Sequence, residues 1–132
     1  LLKLCPAIPN LECHNTGVWS FSGELKFSEN GYLNSSFSEN GKITVPVAAI
    51  DNLVFDDIPS FIKMDIEGSE LEALKGAKKT ISKHKPKLAI CVYHKREDLI
   101  EIPKYILSLR SDYSLYLRAH HYDSKEVVLY AI

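Results

Sequence analysis

Two short apolar segments of the chain are each followed by side chains that can do acid–base or ligand chemistry. Asp65 and Glu67 come directly after the apolar run 61–64, and His94 closes a second run that begins at Lys87. Carboxylates and imidazoles exchange protons, balance the charge of a ligand and bind metal ions. An imidazole within reach of a hydroxyl group can also remove its proton. We therefore predict a catalytic site that contains Asp65, Glu67 and His94.

The residues between the two runs have the pattern of a helix. Ser69 and Glu72 fit the S-x-x-E capping box, and apolar residues three and four positions apart continue until Pro86. Two apolar runs joined by a helix are typical of parallel strands with a crossover connection. The carboxyl ends of parallel strands meet at one edge of a sheet, where ligands bind, so we expect Asp65 and His94 to face one crevice.

Weaker patterns predict the elements on either side of this unit. Upstream we expect the end of a helix at Leu1–Ala7 and a short strand at Leu11–His14. A β-rich insertion should follow at 19–47, and a short helical segment should begin at Asp51–Val54. Two Glu-Asn-Gly triplets, at 29–31 and 39–41, are hairpin signals within the insertion. Downstream, Pro103 fits the first turn of a helix that directs Ile102, Ile106 and Leu109 inward. Segments 114–118 and 126–132 alternate as an antiparallel hairpin.

Several segments carry a family resemblance, and together they cover nearly the whole chain. They are Asn15–Trp19, Val45–Val47 with Asp51–Leu53, Phe61–Gly76, Lys85–Lys87, Val92–Lys95 with Glu97–Leu99, Tyr113–His120 and Glu126–Ala131. In their order and spacing these segments resemble the FkbM family of S-adenosylmethionine-dependent methyltransferases. The resemblance implies an α/β fold with a Rossmann-like class I methyltransferase sheet. That sheet would be mostly parallel and end in an antiparallel C-terminal hairpin.

The resemblance also implies a reaction and roles for individual residues. The implied cofactor is S-adenosylmethionine, with Asp65 beside its methionine end and the methyl acceptor. Asn15, Gly17 and Val18 would lie where this fold brackets the adenine, so they join Asp65 as the expected cofactor-binding residues. The implied reaction is O-methylation of a hydroxyl on a saccharide, a lipid or a secondary metabolite. His94 would accept the hydroxyl proton.

One expected feature of such a methyltransferase is missing from the sequence. Enzymes of this class bind the cofactor through a glycine-rich loop after the first strand and an acid after the second. The six glycines of this chain include no G-x-G pair, and the chain does not begin with methionine. We therefore expect residues 1–132 to be a partial methyltransferase domain, truncated at the N-terminus and inactive by itself.

Composition limits the partners. A chain of 132 residues with 45% apolar content can bury one core. The net charge of −1 gives no attraction for nucleic acid, and no apolar run approaches the roughly 20 residues that span a bilayer. We expect a small-molecule or glycan acceptor and, by default, a cytoplasmic location. Cys5, Cys13 and Cys91 lack C-x-x-C spacing and are expected to be unpaired apolar side chains in a reducing compartment.

The sequence leaves two alternatives for the function. Asp65, Glu67 and His94 could form a metal-dependent hydrolase site, although their spacing differs from the zinc signature H-E-x-x-H. The chain could also be a non-catalytic binding fragment. For the methyltransferase we expect no resident metal ion, although Glu67 could join Asp65 on magnesium instead of binding the acceptor. Capping and the helix dipole account for Glu70 and Glu72, so both are assigned structural roles.

Overall fold

The computed structural model describes residues 11–28, 36–37, 43–53, 58–122 and 126–132. Within these ranges the strands are β1 (Gly17–Val18), β2 (Gly23–Ser28), β3 (Ser36–Phe37), β4 (Ile43–Ala48), β5 (Phe61–Met64), β6 (Lys87–Cys91), β7 (Leu115–Ala119) and β8 (Val127–Ala131). The α-helices are α1 (Glu70–Lys75), α2 (Lys78–His84) and α3 (Asp98–Leu109), and a 3₁₀ helix spans Ile50–Asn52. This 3₁₀ helix lies at the start of the helical segment predicted at Asp51.

The strands form two four-stranded sheets. Sheet 1 has the order β1-β4-β2-β3, in which β1 and β4 are parallel and the other pairs are antiparallel. Sheet 2 has the order β5-β6-β8-β7. Its β5 and β6 are parallel, as predicted from the two apolar runs, and β7 and β8 form the predicted antiparallel hairpin.

The prediction of a mostly parallel sheet is wrong, because both sheets are mixed. In sheet 2, β8 lies between β6 and β7 and is antiparallel to both. The short connection from β7 reverses the chain, so β8 must run opposite to β7. One edge of β6 pairs with β5, and its other edge pairs with β8 instead of with another parallel strand. Two of the three hydrogen-bonded strand pairs in this sheet are therefore antiparallel.

The main core lies between one face of sheet 2 and the three helices. The alternation of β6 directs Leu88 and Ile90 into this core, while Ala89 and Cys91 point to the opposite face. These four side chains of β6 are buried and Lys87 is exposed, so only the first residue of the strand faces water. Full burial of each large aliphatic side chain contributes about 1.5–3 kcal/mol, which makes this layer the main source of stability. The fully buried side chains of the helices in this core include Leu74, Ile81, Ile102 and Ile106.

The helix predicted between β5 and β6 is two helices. Gly76 ends α1, and its carbonyl accepts a hydrogen bond from the Asp51 amide at 2.8 Å instead of continuing the helix. The Asp51 carboxylate then accepts hydrogen bonds from the amides of Lys79 and Thr80, both at 2.8 Å. A carboxylate from the 3₁₀ helix thus caps the first turn of α2, which local sequence patterns could not show.

The capping box predicted at Ser69 is also absent. Ser69 occupies the N-cap position of α1 but makes no side-chain hydrogen bond there. Its backbone, with φ −100° and ψ 6°, differs from the extended conformation of a side-chain-bonded N-cap. Glu72 instead forms an ion pair with Lys75 on the surface of α1.

Two predictions for the N-terminal region are corrected by the structure. Leu11–His14 is not a strand, because the first paired residues are Gly17 and Val18, opposite Val47 and Ala48. Cys13 is disulfide-bonded, so the prediction of three unpaired cysteines is wrong, whereas Cys91 is a free, buried thiol. The described part of 19–47 contains β2, β3 and β4. The helix end predicted at 1–7 and both Glu-Asn-Gly triplets lie outside the described residues.

The helix predicted around Pro103 begins earlier than expected. Ile102 and Ile106 are fully buried as predicted, but Pro103 lies inside α3 rather than in its first turn. Proline has no backbone N–H, so the hydrogen bond from position 103 to the Leu99 carbonyl is missing within the helix. None of the helices in the described part of the chain has the length and apolar character needed to cross a bilayer.

Candidate active site

A tight turn follows β5 and sets the direction of the acidic side chains. The Ser69 amide donates a hydrogen bond to the Ile66 carbonyl at 3.2 Å. The two central residues, Glu67 and Gly68, have φ values of 54° and 87°, the pattern of a type I′ turn. A non-glycine residue in this left-handed region costs roughly 1–2 kcal/mol, so other contacts must hold the turn in place.

Glu70 supplies one of these contacts. Its side chain is 0% exposed, and its Oε1 atom accepts a hydrogen bond from the Ile66 amide at 2.9 Å. The carboxylate therefore points back from the start of α1 towards the end of β5. Glu70 ties the turn to the helix, and it also brings a second carboxylate next to the one at Asp65.

The structure brings Asp65 and His94 into contact. The Nε2 atom of His94 lies 3.2 Å from Oδ1 of Asp65 and 3.8 Å from Oε1 of Glu70. The Tyr93 hydroxyl donates a hydrogen bond to the same Asp65 oxygen at 3.2 Å, and Lys63 lies 4.0 Å from Oδ2. The Asp65 side chain is 42% exposed and that of His94 only 5%, so the cluster extends from the surface into the interior.

Several buried polar atoms of this region lack hydrogen-bond partners among the described residues. They are Oε2 of Glu70, both ring nitrogens of His94 and Oδ2 of Asp98. The 3.2 Å contact between His94 and Asp65 is not a hydrogen bond, because the ring nitrogen is not aligned with the oxygen. Unsatisfied buried polar atoms are rare in proteins and cost about 1–3 kcal/mol each. Their concentration at one place marks a site with an incomplete set of partners.

Burial and negative charge shift the titration of the neighbouring groups. Burial, followed by the charge of Asp65, raises the pKa of the Cys91 thiol to about 12. The same two causes, in the same order, raise the pKa of the Tyr93 hydroxyl to about 12. Burial, and then the charge of Glu70, raises the pKa of the Asp98 carboxyl. At neutral pH the Tyr93 hydroxyl is thus a proton donor that holds the Asp65 carboxylate.

A cleft of about 350 Å³ lies against the face of sheet 2 opposite the helices. Asp65 and Tyr93 form one end of this cleft, next to His94. His120 and Glu126 are polar residues of its lining, and the ring nitrogen Nε2 of His120 is 2.9 Å from the Tyr130 hydroxyl. The apolar and aromatic lining is formed by Phe61, Ala89, Cys91, Val128 and Tyr130.

The predicted site residues divide into two groups in the structure. Asp65 and His94 meet just after the parallel strands β5 and β6, but the predicted common crevice is not formed by both, because Asp65 lines the cleft and His94 does not. Glu67 is exposed in the turn beside them. Gly17 and Val18 form β1, and Val18 packs against the main core. Within the described ranges, no hydrogen bond or ion pair links Asn15, Gly17 or Val18 to the cluster.

The structural role predicted for Glu70 agrees with its hydrogen bond to the Ile66 amide, but its position beside Asp65 and His94 was not predicted. A helix start already explained an acid at that position, so its type carried no further signal. The available clue was spacing, because Asp65 and Glu70 are five residues apart across a turn that contains glycine. Only the reversal of the chain at Glu67 and Gly68 turns this spacing into proximity.

Comparison with known proteins places this chain in a family. The family model of the methyltransferase FkbM domain matches residues 10–123. The solved methyltransferase FkbM from Methylobacillus flagellatus KT is similar with a TM-score of 0.73 and 42% sequence identity. That match covers 90% of this chain and 28% of the other chain, so this chain spans 28% of the length of that relative. None of the curated proteins compared with the chain matches it. The family model matches most of the chain, and the solved relative is similar over 90% of it, so the chain belongs to the FkbM methyltransferase family.

Proposed function

We propose that this chain contributes the reacting centre of an S-adenosylmethionine-dependent methyltransferase that methylates a hydroxyl oxygen. The observation that carries the proposal is the contact between the Asp65 carboxylate and the His94 imidazole at the ends of β5 and β6. The crevice beyond such strand ends is the usual ligand position in α/β sheets. Membership of the FkbM family favours this reaction over the metal-dependent hydrolase.

The residues of this chain fit one end of the cofactor. S-adenosylmethionine carries positive charge on its sulfur and its amino group, and the half-exposed Asp65 carboxylate can face that charge. Asn15, Gly17 and Val18 are proposed to contact the adenine, although they belong to the part of the chain around β1. When bound, the cofactor supplies an electrophilic methyl group.

The protein's task is then to align the acceptor and to remove its proton. The proposed base is Nε2 of His94, which has no hydrogen-bond partner among the described residues. As the imidazole becomes positively charged, the adjacent Asp65 carboxylate stabilises it, and Tyr93 fixes that carboxylate. Alignment of donor and acceptor can contribute roughly 7–11 kcal/mol to lowering the barrier in well-oriented systems.

The cleft beside Asp65 is the proposed acceptor site. Aromatic rings of Phe61 and Tyr130 can stack on a sugar or another flat ring, while His120 and Glu126 can bind hydroxyl groups. Glu67, exposed in the adjacent turn, is proposed to contact the acceptor as well. These features favour a small-molecule or glycan acceptor.

The test is the rate of methyl transfer in the intact protein that carries this chain. His94→Ala should lower this rate by about 10² to 10⁴, the range for loss of a general base, while cofactor affinity and thermal unfolding change little. His84→Ala, at the end of α2, is the matched control and should retain the rate. A near-normal rate for His94→Ala would show that the imidazole is not the base.

A further inference from the structure

We propose that Asp65, Glu70 and His94 form a binding site for a divalent transition-metal ion. Each residue offers one ligand atom, and these atoms lie within 4.8 Å of one another. Two of the three residues come from the β5–α1 connection and the third follows β6, so the ligands are held by two neighbouring strands of sheet 2. The sequence suggested Asp65, Glu67 and His94 as a possible metal site, and in the structure Glu70 replaces Glu67 in this set.

Unpartnered buried atoms point to a ligand at this position. The side chains of Glu70 and His94 are 0% and 5% exposed, yet Oε2 of Glu70 and both ring nitrogens of His94 have no hydrogen-bond partner in the described part of the chain. Acidic clusters on surfaces are common and are well solvated, whereas these atoms are shielded from water. A cation between the carboxylates and the imidazole would bind the lone pairs of Glu70 Oε2 and of one His94 ring nitrogen that the protein leaves open.

The orientation of the side chains supports an ion rather than a direct hydrogen bond. His94 Nε2 is 3.2 Å from Asp65 Oδ1, but the ring is not aligned to donate to that oxygen. Two ligands of one ion point at a common third position instead of at each other. Metal–ligand distances of about 2.0–2.2 Å in a tetrahedron separate neighbouring ligands by about 3.4 Å. The separations of 3.2 Å and 3.8 Å from Nε2 lie on either side of that value.

The donor set selects the class of ion. Imidazole nitrogen suits zinc and its transition-metal neighbours, whereas magnesium and calcium prefer sites made of oxygen atoms alone. One nitrogen and two carboxylates leave a fourth tetrahedral position for water or a substrate oxygen. We therefore infer a site with preference for Zn²⁺ over Mg²⁺.

The inference rests on the geometry of the same cluster that carries the proposed function, and it adds regulation to that function. The lone pair of His94 Nε2 cannot take a proton and bind an ion at the same time. An ion bound here would therefore prevent His94 from acting as the base. Metal binding is measured without cofactor or acceptor, so its outcome is independent of whether methyl transfer is found.

Calorimetric titration of the purified, tag-free protein with Zn²⁺ tests the site. We expect one ion per chain, and at least a tenfold loss of affinity in each of Asp65→Asn, Glu70→Gln and His94→Ala. Glu97→Gln is the matched control, because this exposed acid lies three residues after His94 and should leave the affinity unchanged. Titration with Mg²⁺ should show at least tenfold weaker binding than Zn²⁺.

Co²⁺ absorption gives a second readout that depends on coordination geometry. Co²⁺ bound by these ligands should show visible absorption bands as intense as those of a tetrahedral Co²⁺ site. These bands should be lost in Asp65→Asn. Glu70→Gln keeps an oxygen atom that can accept the hydrogen bond from the Ile66 amide, so this variant should fold. If it nevertheless unfolds, Asp65→Asn decides the test, because Asp65 is half-exposed and its substitution should not disturb the fold. The proposal would be overturned if the protein did not bind Zn²⁺, or if Asp65→Asn and His94→Ala bound Zn²⁺ as tightly as the unmodified protein.

Discussion

At the scale of single residues, Asp98 is a buried acid near the candidate site. The residue is 3% exposed, and its Oδ2 atom has no hydrogen-bond partner among the described residues. Burial, and then the charge of Glu70, raises the pKa of its carboxyl. Both acids lie at the start of a helix, where the dipole favours negative charge by about 0.3–1 kcal/mol. Burial opposes this charge, and the raised pKa of Asp98 indicates that burial is the larger effect.

We predict that Asp98→Asn changes the pH dependence of stability. A carboxyl with a raised pKa stabilises the folded state most below its unfolded pKa of about 3.9 and loses that contribution as pH rises through the folded value. The free energy of unfolding of the variant, relative to the unmodified protein, should therefore increase between about pH 4 and pH 7. Urea titrations at several pH values measure this difference.

Asp112→Asn provides a control of opposite sign. The guanidinium of Arg110 holds the pKa of the Asp112 carboxyl well below its usual range, so the charged form favours folding. That contribution is present above the unfolded pKa and is lost as pH falls. Below about pH 4, the Asp112 variant should therefore become less stable, relative to the unmodified protein, as pH rises. The same trend for both variants would contradict the assignment for Asp98.

At the scale of the elements, contacts between distant segments decide where the helices begin and end. The Asp51 carboxylate caps α2 from the 3₁₀ helix, and the Gly76 carbonyl accepts from the Asp51 amide. The chain passes so close here that Gly76 lies directly under the Trp19 carbonyl. A Cβ atom at Gly76 would come 2.0 Å from that oxygen and 3.2 Å from the Cα of Ala49.

Gly76→Ala is accordingly expected to destabilise the protein. The clash involves backbone atoms, which cannot rotate away as the end of a side chain can, so the change should cost about 1–3 kcal/mol or more. Thermal or urea unfolding measures the loss. Gly23→Ala is the control, because its nearest contact would be the Phe21 ring at 3.4 Å, an ordinary van der Waals distance. Equal stability of the two variants would show that the Gly76 contact is not tight.

At the scale of the whole molecule, the two faces of sheet 2 have different roles. One face packs against α1, α2 and α3 and holds the main core, and the other forms the cleft beside Asp65. The same strands therefore connect stability with the site, because β5 and β6 carry Asp65 and His94 at their ends. Packing of the helices on one face holds β5 and β6 in place, and with them the positions of Asp65 and His94.

Leucine-to-alanine changes at a buried and an exposed site test where the main core lies. Leu74→Ala, at a 0% exposed position of α1, should lower the free energy of unfolding by about 2–5 kcal/mol because it leaves a cavity. Leu117→Ala, at a 59% exposed position of β7, should change it by less than about 0.5 kcal/mol. Urea unfolding of both variants provides the measurement. A small effect at Leu74 would place the main core elsewhere.

The sequence by itself determined the parallel β5–β6 pair, the C-terminal hairpin, the family and the meeting of Asp65 with His94. These features follow from local periodicity and from the rule that parallel strands end at one edge. It also placed Ile102 and Ile106 in the core, because helical spacing identifies a buried face without knowledge of its partner.

Only the tertiary structure decided the break between α1 and α2, the position of β8 and the role of Glu70. Each depends on a partner that is remote in sequence or on a reversal of the chain: Asp51 for α2, the pairing with β6 for β8, and the turn at Glu67 and Gly68 for Glu70. Local patterns report which face of an element is apolar, but not which distant group will satisfy its polar atoms. The contact between Asp65 and His94 was therefore predicted from the sequence, whereas Glu70 joins them only through the fold.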